Sequence, residues 1–189
     1  MSDWLDLVGS FAIGGLIILM LINFNLSVNG AATQNSFSNV TQRQIVSSVD
    51  VIEYDFYKIG YRVNGDNITK ADSNEILFKT DLDNNGVEDE IRYFLTSTST
   101  MSSTFNPNDK ILRREVNDEN SLTPIVVTDL NFSYYDSLGQ MIDYSYLTDQ
   151  LYRDQIKTIK VSIGIESGEL LDDKYETIHW EKIIRPKNI

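Results

Sequence analysis

Leu7–Leu26 reads LVGSFAIGGLIILMLINFNL, twenty residues without a charged side chain. At a helical rise of 1.5 Å per residue such a stretch covers about 30 Å, the hydrocarbon thickness of a bilayer. Asn23 and Asn25 fall near the end where the helix would leave the membrane, and Trp4 sits where an interfacial aromatic anchor belongs. Ser10 and Gly14 form a small-xxx-small pair that lets another helix approach closely. The expected element is a retained transmembrane helix over residues 1–30. A cleaved signal peptide is one alternative, since Gly30-Ala31-Ala32 resembles a cleavage site, but MSDWLD holds two acids and no base where a basic n-region belongs. A buried helix of a soluble protein is the other. The first basic residue is Arg43, so flanking charge sets no orientation. The bulk and composition of the remainder place it outside the cytoplasm.

Downstream, Val28–Ser38 (VNGAATQNSFS) is small and polar, either a linker or a frayed helical stretch. Ile45, Val49, Ile52 and Phe56 then recur at spacings of four, three and four, one apolar stripe of an amphipathic helix, and Gly60 is a natural stop. Residues 31–60 are therefore read as a helix continuing into the domain. Residues 61–189 read as strands and turns. Glu75–Thr80 (EILFKT) and Glu90–Thr96 (EIRYFLT) flank an Asp/Asn/Gly turn as a hairpin would. Lys110–Val116 and Ile125–Tyr135 are further strand candidates. Ile159, Val161, Ile163 and Ile165 alternate with Lys160, Ser162 and Gly164, and Ile178, Trp180 and Ile184 suggest a last strand. Thr96–Thr104 (TSTSTMSST) reads as a loop. The fold class is α+β: a long N-terminal helix packed on an antiparallel β-sheet.

Composition narrows the function. The chain of 189 residues has 28 acids against 16 bases, a formal net charge of −12, whereas a nucleic-acid surface needs clustered Lys and Arg. With no cysteine there are no disulfides, zinc thiolates or thiol nucleophiles. No GxSxG, HExxH or phosphate loop occurs, and His179, the only histidine, has no neighbouring nucleophile in sequence, so an enzyme is not expected. Tyr134, Tyr135, Tyr144, Tyr146 and Tyr152 read as half-buried sheet residues, with a binding surface as the alternative.

Asp81, Asp83, Asn85, Gly86 and Asp89 (DLDNNGVED) place oxygen ligands at alternate positions with a glycine after the third, and Val87 can add a backbone carbonyl. This is the spacing of the first half of a calcium loop, although the twelfth place is Arg92 rather than a bidentate Glu. A solvated hairpin turn uses the same residue types for backbone reasons alone. Both readings stand at this level.

The element order and several local stretches resemble the type IV pilin superfamily. IEYDFYKIGYR (Ile52–Arg62) is similar to the end of the long helix in minor pilins and J-type pseudopilins of type II secretion. TPIVVTDLNFSYYDSLGQ (Thr123–Gln140) resembles their aromatic-rich strand, IKTIKVSIGIES (Ile156–Ser167) the strand that follows, and IRPKNI (Ile184–Ile189) their ending. The usual basic leader and Phe-Thr-Leu-x-Glu-like start are lacking, so prepilin processing is not expected. The resemblance implies a structural subunit whose N-terminal helix packs with those of other pilin-like subunits in a type IV pilus or type II secretion-like filament. It also implies a role for Asp6, the fifth residue if Met1 is removed, at the place where pilins keep a Glu that pairs with a neighbour's N-terminal amine. Asp6, Ser10 and Gly14 are thus the expected subunit-packing residues. The rival reading is a stand-alone bitopic envelope protein with an acidic calcium- or ligand-binding domain.

Overall fold

The computed structural model describes residues 2–96, 106–120, 125–167, 170 and 173–189, apart from the side chains of 2, 3, 5, 34, 37–48 and 120. The chain divides into two compact units, Met1–Val40 and Thr41–Ile189. Helix α1 spans Ser2–Lys58 and thus includes Val28–Ser38, where the sequence allowed a linker.

In the N-terminal unit, Asp6–Thr33 is one helical stretch long and apolar enough to cross a membrane. Its large side chains are exposed, Phe11 at 75% and Met20 at 73%, which leaves the reading of a buried soluble helix without support. The polar groups at its C-terminal end are tied locally. Asn29 Nδ2 donates to Asn25 Oδ1 at 3.1 Å, and Thr33 Oγ1 donates to the Asn29 carbonyl at 3.0 Å. Such i to i+4 bonds lower the cost of polar side chains near the hydrocarbon.

In the C-terminal unit the last turns of α1 bury Val49, Ile52 and Phe56, three of the four stripe residues, while the side chain of Ile45 lies outside the described residues. Gly60 stops the helix with φ +76°, its N–H donating to the Lys79 carbonyl at 2.9 Å. The strands that follow are β1 (Ile68–Ala71), β2 (Glu75–Thr80), β3 (Asp89–Leu95), β4 (Lys110–Val116), β5 (Glu119–Asn120), β6 (Ile125–Val127), β7 (Asp129–Tyr135), β8 (Thr158–Glu166) and β9 (Thr177–Ile184). A single turn of helix, α2 (Gln150–Arg153), precedes β8.

The expectation of one sheet becomes two antiparallel sheets. β1 to β5 pair in chain order with β6 also on β4, and β7-β8-β9 form a separate three-stranded sheet. The expected strand Ile125–Tyr135 is interrupted at Thr128, and the pieces on either side of it pair in different sheets. The expected hairpin forms in full register, Glu75 opposite Phe94 through Thr80 opposite Asp89. β2 alternates half-buried and buried residues, which puts Ile76 and Phe78 inward. Phe56 joins the layers: its ring lies 5.4 Å from Phe78, 5.7 Å from Tyr93 and 5.9 Å from Phe132, so one helical residue packs against both sheets. The expected loop at Thr96–Thr104 falls, from Ser97 onward, outside the described residues.

The tyrosines meet the expectation in part: Tyr135, Tyr144 and Tyr152 are half-buried, whereas Tyr134 is buried and Tyr146 exposed. Only Tyr134 and Tyr135 lie in a strand; Tyr144 and Tyr146 lie in the turn before α2, and Tyr152 lies on α2. Tyr134 is buried, with its hydroxyl donating to the Asp72 carbonyl, and Tyr144 donates to the Phe132 carbonyl at 2.6 Å.

Candidate metal centre

The β2–β3 turn is built around Asp81, the first residue after β2. Its side chain is fully buried although Asp83–Glu88 are exposed. Burial raises the proton affinity of the Asp81 carboxyl, but hydrogen bonds from Arg62 and the Gly86 N–H outweigh it and hold the group below the usual aspartate range. Arg62 Nη1 and Gly86 N both donate to Oδ2, each at 3.1 Å. Oδ1 is buried and has no hydrogen-bond partner. A buried polar atom of this kind is uncommon and calls for a ligand or a donor.

The turn geometry follows from its residue types. Asn84 and Gly86 take positive φ, +65° and +87°, a region that Asn and Gly enter at low cost. Asp83 Oδ1 accepts from the Asn85 N–H, and Asn85 Oδ1 accepts from the Val87 N–H at 2.7 Å. Asp89 Oδ2 accepts from the Leu82 N–H and its Oδ1 from Asn117 Nδ2, both at 2.9 Å. One carboxylate oxygen from each of Asp81, Asp83 and Asp89 lies within 4.8 Å of the other two. The structure thus brings together the three aspartates among the residues the sequence singled out. Asn85 is committed to the turn: besides accepting from Val87, its amide donates to Asp83 Oδ2 at 2.9 Å.

Arg92, at the twelfth place, does not answer the loop acids. It donates to Glu75 at 2.7 Å and to Glu115 at 3.4 Å, and it lies over the Phe94 ring at 4.2 Å.

The sequence reading missed Lys58 and Arg62. Lys58 Nζ, at the end of α1, donates to the carbonyls of Asp81 at 3.0 Å and Leu82 at 2.7 Å, and to Asn84 Oδ1 at 3.3 Å. The helix end and the turn are therefore one hydrogen-bonded assembly. No local spacing rule foretells contacts between residues 19 to 26 apart in the sequence.

A buried ionic cluster under the helix was missed as well. Asp55 on α1 is fully buried; Arg114 on β4 grips it with Nε at 2.6 Å and Nη2 at 3.0 Å, and the Tyr93 hydroxyl on β3 donates to it at 2.6 Å. Burial and then the Asp55 charge push the Tyr93 hydroxyl well above its ordinary range. For Arg114, burial works against the charge, but the Asp55 hydrogen bond and charge more than offset it. The signal was present: Asp55 lies on the apolar stripe, three residues after Ile52 and one before Phe56, where a carboxylate must be buried and so needs a cation.

His179 lies in β9 opposite Gly164, exposed. It lines an open cleft with Asp129, Glu166 and Thr177. The remaining sequence candidates belong to the N-terminal unit. Asp6 and Ser10 are exposed, with Ser10 Oγ donating to the Asp6 carbonyl at 2.7 Å, and a Cβ at Gly14 would meet nothing within 4 Å.

Comparison with known proteins finds no matching family model, no matching curated protein and no matching solved structure.

Proposed function

We propose that this chain is a single-pass, membrane-anchored structural subunit of pilin-like type. Its N-terminal helix would pack with the helices of partner subunits, and its β-rich domain would face the exterior. The carrying observation is the apolar exposure of α1 between Asp6 and Thr33. Phe11, Ile13, Leu16, Ile18, Leu19, Leu21 and Phe24 are all at least 58% exposed, at positions that run round the whole circumference of the helix. A helix apolar on every side needs lipid or other helices around it. Ser10 and Gly14 offer the close-approach stripe, and Asp6 a carboxylate at its edge that, inside a helix bundle, needs a donor or cation. The α+β order and the stretches Ile52–Arg62 and Ile184–Ile189 support the pilin-like reading over that of a solitary anchored domain.

The test exploits the cysteine-free sequence. The protein should remain with membranes through an alkaline carbonate wash. A single cysteine at Ser10 or Gly14 should crosslink to neighbouring membrane subunits far more than one at Phe24. Asp6→Asn should leave insertion intact while reducing recovery of those neighbours. Release by carbonate would remove the anchor reading. Equal recovery of partners from wild type and Asp6→Asn, with no crosslinks from either small residue, would favour a solitary anchored domain.

A further inference from the structure

We infer that the β2–β3 turn binds one calcium ion, held by Asp81, Asp83 and Asp89. Two observations carry this. Three carboxylate oxygens, one from each aspartate, converge to within 4.8 Å of one another. Asp81, a member of that set, keeps a fully buried oxygen that receives no hydrogen bond, because Arg62 and Gly86 both engage its other oxygen. A cation beside Oδ1 supplies the partner that the protein does not.

The donor chemistry selects the ion. All candidate ligands are oxygens, while the chain has no cysteine and its one histidine lies in β9, so zinc and the softer metals lack their preferred donors. Calcium accepts irregular sets of six to eight oxygens at about 2.3–2.6 Å, whereas magnesium demands a near-ideal octahedron and gives up its waters reluctantly, so three aspartates on one turn suit calcium better. Charge points the same way. Asp81, Asp83, Glu88 and Asp89 carry four negative charges against the three positive charges of Lys58, Arg62 and Lys79, the last 3.9 Å from Glu88, which leaves a surplus of negative charge in the turn. Arg92 sits at the place of the bidentate Glu in a complete loop, so the site belongs with weak exterior calcium modules, with dissociation constants of about 0.1–1 mM. Lys58 and Arg62 hold the turn to the end of α1, so a bound ion also fixes that helix end. The site is local to the domain and acts whether or not the N-terminal helix assembles with others.

The experiment uses the full chain in detergent, stripped with chelator and titrated with calcium or magnesium chloride. Calorimetry reads stoichiometry, and thermal unfolding reads stabilisation. One calcium per chain is expected, with a rise in melting temperature of about 3–6 °C at a tenfold excess over the dissociation constant. Asp81→Asn removes a buried charge and risks unfolding, so the decisive variant is the exposed Asp83→Ala, which should weaken calcium at least tenfold. Asp66→Ala, an exposed acid outside the turn, should not. The inference is overturned by no calcium-dependent shift, by an equal shift with magnesium, or by undiminished affinity in Asp83→Ala.

Discussion

Asp55 shows how one residue can hold a layer in place. Both of its oxygens are taken by Arg114, and Tyr93 adds a third donor, with Tyr93 and Arg114 themselves directly opposed across β3 and β4. Removing one partner of a buried pair strands the other charge, so Asp55→Ala should destabilise the domain by about 3–5 kcal/mol. The double replacement Asp55→Leu with Arg114→Met should recover much of that, since an apolar pair of similar volume avoids the desolvation cost. Urea unfolding of the detergent-solubilised chain measures both; a single variant within 1 kcal/mol of wild type would contradict the buried-pair account. The tyrosine in this cluster gives a second readout. Burial raises the Tyr93 and Tyr134 hydroxyls well above the ordinary value of 10.0. A raised value in the folded state means that stability is fully present below pH 10 and is lost as pH climbs toward the folded values. In a titration at 295 nm, two of the ten tyrosines should ionise only together with unfolding.

At the scale of elements, the end of α1 depends on Gly60. Its φ of +76° disfavours any side chain, and a Cβ there would lie 2.8 Å from Asn67 Cγ and 2.9 Å from the Asn188 carbonyl. Gly60→Ala therefore combines backbone strain with a clash against a backbone atom that cannot rotate away. The expected cost is about 2 kcal/mol or more, read as a lower urea midpoint at unchanged slope. The β2–β3 hairpin depends on charge pairs instead. Burial raises Glu75, but hydrogen bonds and charge from Lys70 and Arg92 more than compensate and hold it below its ordinary 4.5. Asp81 is likewise held below its ordinary 3.8.

For the whole molecule, those depressed carboxyls fix the acid limit. A group depressed in the folded state contributes stability that is fully present above its unfolded value and lost as pH falls through the folded one. Melting temperature should therefore fall below about pH 4.5, first through Glu75 and then through Asp81. Between pH 7 and 5 the formal charge of −12 is only partly titrated, so little change is expected there. A loss of stability already complete at pH 5.5 would point to other groups.

The sequence by itself determined the elements, because their signals are local. An uncharged run sets a membrane-length helix, a four-three-four apolar stripe sets the buried face at Val49, Ile52 and Phe56, and period-two alternation sets β2, β3 and β8. The turn chemistry of Asp81–Asp89 was legible for the same reason, since Asx turns and positive φ depend on near neighbours. Only the tertiary structure decided the rest. The break at Thr128 sends β6 and β7 to different sheets, because which edge a strand pairs with depends on partners dozens of residues away. Whether the turn is merely solvated or is a candidate ion site was also undecided in sequence. The choice rests on the burial of Asp81, which comes from the packing of α1, Arg62 and the hairpin around it, and on Lys58 and Arg62 taking some of its oxygens while leaving Oδ1 without a donor. Burial and charge pairing are properties of the assembled fold, and no spacing along the chain encodes them.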